Sequence, residues 1–208
     1  MAYNSTSRQK KSELMHKKIY ESAARLIDEY EYSQITVESI CKLAGVAKGS
    51  FYVHFPSKEA VLVEIISRHV NEVDEDYKAI ADKVSSTATS ASEILLAVVK
   101  HIVYVLSNKV GSSKLKMVYR AQMSQHLDST AVFSFNRKLM TLFQDIVTKG
   151  INSGEFRNDI DVFTLAKHIL YSIRGMTFEW CVLTDGFDYE KESLLFFNTL
   201  LDGLRRRD

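Results

Sequence analysis

Between Lys48 and His54 the chain sets an ammonium, two hydroxyls and an imidazole around a bare glycine, in the order Lys48-Gly49-Ser50-Phe51-Tyr52-Val53-His54. These groups are hydrogen-bond donors, and the chemistry they suit is recognition of acceptor-rich surfaces such as phosphate oxygens and base edges. At 3.6 residues per turn Lys48, Gly49, Tyr52 and Val53 share one side of a helix. Ala47, Phe51 and Phe55 share another, and Ser50 and His54 lie at the edge between them. The aromatics hold such a helix down while the cation, the bare backbone and the phenol face outward.

The flanking residues specify what positions that face. Thr36 is an N-cap residue, followed at helical spacing by Val37, Ile40, Cys41 and Ala44. Ser39 stands three positions after the cap where Glu or Gln completes a capping box, so the box reads as incomplete. Gly45 falls where a left-handed residue ends a helix. Val46 plugs the turn, and a second helix starts near Ala47. Pro56, the only proline in the chain, stops it. Ser57 caps the next helix, with Lys58 and Glu59 in its first turn. Two helices around a short Gly-containing turn form a helix-turn-helix, whose second helix enters a DNA major groove. An ordinary helical hairpin has the same outline.

The order of residues goes further. Thr36, Ile40, Ala44-Gly45-Val46, Lys48-Gly49, Tyr52, His54-Phe55 and Ser57-Lys58-Glu59 closely resemble, without a gap, the DNA-binding signature of the TetR family of bacterial transcriptional regulators. Cys41 stands where that family usually has Ala, and Ala47 where it usually has Ser or Thr. The resemblance implies phosphate contacts from Thr36, Tyr52 and Lys58. It implies base or phosphate contacts from Lys48, Ser50 and His54, and close backbone approach at Gly49.

The chain has 208 residues, 46% of them apolar, enough for a sizeable core. One proline and eight glycines favour long helices. Cys41 and Cys181 lie far apart in apolar helical patterns, as buried small hydrophobes do in a reducing compartment. No 18-residue apolar run and no signal-peptide core stand out, so the expectation is a soluble, cytoplasmic protein with no membrane partner. Net charge is only +1. Residues 1–58 nevertheless carry nine Lys/Arg against six Asp/Glu, with Arg8, Lys10, Lys11, Lys17 and Lys18 close together. Glu72, Asp74, Glu75 and Asp76 then turn the middle acidic. A basic end on a near-neutral chain suits a protein that meets phosphate at one end.

Along the chain the patterns predict helix one over about 12–30, with Ile19, Ala23, Leu26, Ile27 and Tyr30 inward. They predict the two motif helices, and a long fourth helix through Leu62, Ile65, Ile66, His69, Val73, Tyr77 and Ile80. Five more follow, at about 91–108, 114–124, 130–152, 161–183 and 189–206. The expectation is an all-α fold of about nine helices. Residues 1–58 form a three-helix DNA-binding domain, residues 59–208 a helical ligand-binding and dimerisation domain, and helix 59–83 connects them. No Gly-rich phosphate loop, Cys/His metal cluster or nucleophile elbow appears, so neither metal nor cofactor is expected, nor an enzyme.

The last two helices are apolar almost all round. A helix apolar on every side must be covered on every side, which calls for a second copy of the chain. This resembles the family's dimer interface, and Phe197 and Leu201 are the residues expected there. Residues 101–180 are rich in aromatics and methionines, including Tyr104, Met123, Phe133 and Phe135, and carry polar groups that include His101, His126, His168 and Arg174. Family members commonly bind a small, often hydrophobic molecule in this domain. Met117, Arg120, Phe143, Tyr171 and Trp180 are the expected lining. The implied function is a homodimeric repressor released from a palindromic double-stranded operator by a small-molecule effector. A TetR-like regulator controlled by a protein partner and an all-helical enzyme with a hydrophobic pocket are the alternatives.

Overall fold

Burying Ile19, Ala23 and Ile27 at four-residue spacing turns the N-terminal segment into a helix with one covered face. The computed structural model describes residues 3–87, 90–124, 138–183 and 186–206. Helix α1 spans Tyr3–Glu29, α2 Val37–Ala44, α3 Lys48–His54, α4 Lys58–Ser85 and α5 Ala91–Tyr104. A π-helical segment, Val105–Val110, continues α5. Then come α6 (Ser112–Ser124), α7 (Lys138–Asn152), α8 (Val162–Val182) and α9 (Tyr189–Leu204). Among the described residues there are nine α-helices and no strand, only an isolated bridge between Phe156 and Arg205. Phe133, Phe135, His126 and the start of the helix expected over 130–152 lie outside the described residues.

The chain packs as two units, Met1–Arg68 with Met117–Ser129, and His69–Lys116 with Thr130–Asp208. Helix α1 starts nine residues earlier than the periodicity suggested. Leu26 is half-buried, and Tyr30 is exposed rather than inward. The first core is built on Ile19, Ala23, Ile27, Ile40, Phe51, Phe55, Val61 and Leu62.

In the second unit α5 packs on α7 and α9, and α7 packs on α8. Leu95, Val98, Val99, Phe143, Val147, Ala166, Ile169 and Phe197 form its centre. By length and composition the stretch Ala91–Val110 is apolar enough to cross a membrane, which the sequence reading missed. Here Ile94, Leu95, Val98, Val99 and Ile102 are covered by neighbouring helices.

The loop after α7 closes this unit. Glu155 accepts hydrogen bonds from Ala91 N (2.6 Å), Ser92 N (3.0 Å) and Ser92 Oγ, satisfying N–H groups at the start of α5. Arg157 N donates to Leu204 O and Arg206 N to Glu155 O, so the same loop holds the end of α9.

Candidate nucleic-acid interface

Helix α2 is capped more completely than its sequence suggested. Thr36 Oγ1 accepts from Ser39 N at 3.0 Å, and Ser39 Oγ accepts from Thr36 N at 3.0 Å. Serine at the third position thus performs the role usually given to Glu or Gln, and the expectation of an incomplete box is corrected. Gly45 ends the helix at φ +66°, a left-handed conformation that L side chains resist. Helix α3 follows, with Ala47 as its N-cap. Phe55, just before Pro56, is extended at φ −135°, which ends α3. Ser57 Oγ then accepts from Ala60 N at the start of α4.

The faces of α3 are those its spacing predicts. Phe51 and Phe55 are buried, with ring centroids 5.9 Å apart. Lys48, Gly49, Tyr52 and Val53 are exposed, and Ser50 and His54 are half-buried at the edge. No atom lies within 4 Å of where a Cβ on Gly49 would stand, so the backbone there is open to close approach. Ala47 departs from the expected inward side and is exposed.

Three of the expected contact residues have partners the sequence did not reveal. Lys48 Nζ pairs with Glu38 Oε1 on α2, across an exposed surface. The pair holds the Glu38 carboxyl below its ordinary range and the Lys48 ammonium above its own, in both cases chiefly through their mutual hydrogen bond. His54 lies edge-on to His16 of α1, centroids 6.0 Å apart. His16 in turn stacks on Phe55 at 4.6 Å and sets Nε2 3.0 Å from Glu64 of α4. His54 thus stands beside the seam of α1, α3 and α4 as well as at the outer face.

Lys58 is turned inward. Its ammonium donates to Ile35 O at 2.7 Å and Tyr32 O at 3.2 Å, and lies 4.2 Å from the centroid of the Tyr32 ring. Tyr32 is buried, and burial with the nearby Glu59 carboxylate pushes its phenol well above the ordinary range. This cation fixes the short 3-10 turn Tyr32–Gln34 that leads into α2. Two of the three Lys58 donors thus go to carbonyls of its own chain, which gives this lysine a positioning role beside the phosphate contact expected of it.

The residues expected to line a ligand site fall in different surroundings. Phe143 is fully buried in the second core, and Trp180 is half-buried with its ring stacked on Tyr189 at 4.6 Å. Tyr171 is 49% exposed. Met117 is half-buried and Arg120 exposed, both in the first unit. Tyr189 OH and Thr177 Oγ1 share a buried hydrogen bond of 2.8 Å beside the Trp180 stack. No group of three metal-ligating side chains occurs among the described residues.

Phe197 and Leu201, the residues expected at the dimer interface, lie on the inner face of α9. They are 1% and 3% exposed within a single chain, because this face of α9 packs into its own unit. The uncovered apolar residues are Phe163, Tyr171, Phe178 and Val182 on α8 and Leu195 and Phe196 on α9.

A capped helix, a left-handed glycine and a second helix with donors outward over a buried aromatic anchor define a helix-turn-helix DNA-binding protein. The family model of bacterial regulatory proteins, tetR family, matches residues 19–65. The chain is 25% identical over 191 residues to the fatty acid metabolism regulator protein of Bacillus subtilis, covering 91% of this chain and 95% of that one. It is 26% identical over 187 residues to the transcriptional repressor KstR2 of Rhodococcus jostii, covering 88% and 87%. Among solved structures it is similar to the transcriptional regulator FadR from Bacillus subtilis in complex with stearoyl-CoA. There the TM-score is 0.65 at 24% identity, over 90% of this chain and 98% of that one. Residues 19–65 thus carry the N-terminal domain of the bacterial tetR family of regulatory proteins, and the relatives that match about nine-tenths of the chain are themselves regulators.

Proposed function

We propose that this regulator is a homodimeric repressor that leaves a palindromic operator when a long-chain acyl-CoA, or a molecule of similar amphipathic character, binds its C-terminal unit. The observation that carries the DNA-binding half is the outward face of α3, where Lys48, Gly49 and Tyr52 stand over buried Phe51 and Phe55. Lys48 and Ser50 are the base-reading candidates; Thr36 and Tyr52 are the phosphate contacts. The effector class is supported by the likeness to a regulator solved with stearoyl-CoA.

Two further features support the dimer and its coupling to ligand. Phe163, Tyr171, Phe178 and Val182 follow one another along one side of α8, and an apolar stripe of that length seeks cover. Leu195 and Phe196 add to it from α9, and a second copy presenting the same stripe closes the contact by two-fold symmetry. Helix α4 contributes residues to both packing units, so a ligand-dependent shift of α4 would change the spacing of the two α3 helices. The ligand moves that equilibrium only by its differential affinity for the two spacings. Working on the chromosome places the protein in the cytoplasm, and the reading assigns it no catalytic step.

Selection of bound duplexes from a random pool, followed by titration of the selected duplex with stearoyl-CoA, tests the reading. The expected result is a palindrome with half-sites about one helical turn apart, or a small multiple, released as the acyl-CoA is raised. Operator binding that ignores acyl-CoA at every chain length would remove the effector class and leave a regulator controlled by another partner.

A further inference from the structure

The sequences of α2 and α3, Val37–Ala44 and Lys48–His54, contain one acidic residue, Glu38. That carboxylate stands on the exposed surface of the motif and is paired with Lys48, the cation best placed to read a base. Both side chains are more than half exposed. Ion pairs of this kind add little to stability, so the significance of this one lies in where its charge sits. A carboxylate facing a phosphate backbone weakens binding to every sequence alike, since phosphate attraction carries no sequence information. An unpaired lysine on the same surface would do the opposite and settle on the nearest phosphate.

We propose that Glu38 is a specificity-determining positioning residue, which holds the Lys48 ammonium away from phosphate so that it is released only to a base edge offering a better acceptor. Guanine, with its O6 and N7 acceptors side by side in the major groove, is the base that offers one. On non-cognate DNA the pair stays closed and its net charge is zero. On the cognate site Lys48 exchanges one carboxylate for two base acceptors, and Glu38 turns to solvent. The pair thus suppresses non-specific binding more than operator binding. The proposal rests on the DNA-binding reading above.

The test compares wild type, Glu38→Gln, Lys48→Ala and the double variant on two probes. One is a mixed-sequence duplex and the other the duplex selected from a random pool, each titrated across a range of salt. Glutamine keeps the size of the side chain and removes its charge, and circular dichroism checks that the helices persist. In Glu38→Gln the freed lysine adds a phosphate contact on mixed-sequence DNA, so the salt slope steepens by about one unit and affinity for that probe rises. The ratio of selected-site to mixed-sequence affinity falls at least about fivefold, the lower end of what one base contact discriminates. The two substitutions are non-additive in that ratio, because each removes the partner through which the other acts. If wild type discriminates between the probes and Glu38→Gln keeps the same ratio and slope, the positioning role is overturned while the DNA-binding reading stands. Absence of wild-type binding to either probe overturns both.

Discussion

The ring of Phe156 lies directly on the backbone of Gly150, leaving no room for a Cβ there. A methyl group at that position would come within 2.6 Å of the ring Cγ. Phe156 is 1% exposed, and its N–H donates to Gly150 O at 3.0 Å, so backbone and ring are both fixed against the same glycine. Gly150→Ala should therefore destabilise the protein by roughly 1–3 kcal/mol, the ordinary range for overpacking. Denaturant unfolding measures it. Pairing the change with Phe156→Leu should recover part of the loss; equal stability of Gly150→Ala and wild type would mean that the ring is not held there.

The Glu155 carboxylate caps α5 from a loop more than sixty residues later in sequence, through two backbone N–H groups and the Ser92 hydroxyl. Glu155→Ala should cost about 2 kcal/mol, since hydrogen bonds to a charged acceptor are stronger than neutral ones and the helix start loses its anion. Glu155→Gln should fall between, because one amide oxygen replaces two carboxylate oxygens. Thermal melts of the three proteins rank them.

Substitutions on the two faces of α9 should part company. Leu195→Glu, on the uncovered face, should leave helix content intact and split the dimer, as should Phe178→Glu on α8. Phe197→Glu should unfold the second unit instead, because it buries a carboxylate without a partner. Sedimentation separates a folded monomer from an unfolded chain. A wild-type-like dimer in both Leu195→Glu and Phe178→Glu would place the interface elsewhere.

Lys58 and Tyr52 give a contrast on DNA. Lys58→Met should lower the stability of the first unit by about 1–2 kcal/mol, the scale of lost hydrogen bonds to a charged donor. It should leave the salt slope of DNA binding unchanged. Tyr52→Phe should weaken all sequences about equally without touching stability. A slope reduced by about one unit in Lys58→Met would place that lysine among the phosphate contacts.

The N-terminal motif was legible because its information is local. Phe51 and Phe55 sit four apart and Lys48 and Tyr52 sit four apart, so one helical period separates the anchor from the reading face. Gly45 and Pro56 mark the ends by conformations other residues avoid. Lys58 was not legible, because its partners are backbone carbonyls at Tyr32 and Ile35 that no side-chain pattern announces. Glu38 was visible as the sole acid of α2 and α3, yet its pairing with Lys48 depends on the angle between two helices. On α9 the apolar residues run nearly all round, so the pattern announces two covered faces without saying which one belongs to the chain itself. Phe197 and Leu201 lie on the face that packs within the chain.

The π-helical segment at Val105–Val110 bears on how this region tolerates a change of length. Its bonding, seen in Gly111 N to Leu106 O, spans five residues where an α-helix spans four. The turn thus holds a surplus residue, and the helical phase slips as the chain passes through it. Ser107 and Asn108 use that slip to reach Glu190 at the start of α9, at 2.7 and 2.9 Å. Loss of one residue between 105 and 110 would let the segment relax into the regular α-helix that the sequence periodicity suggested over 91–108. An insertion or deletion of this kind, ruinous in the middle of most helices, would here act as a dial: it would rotate Gly111 and the start of α6 about the α5 axis while leaving the packed face of Leu95, Val98 and Val99 undisturbed.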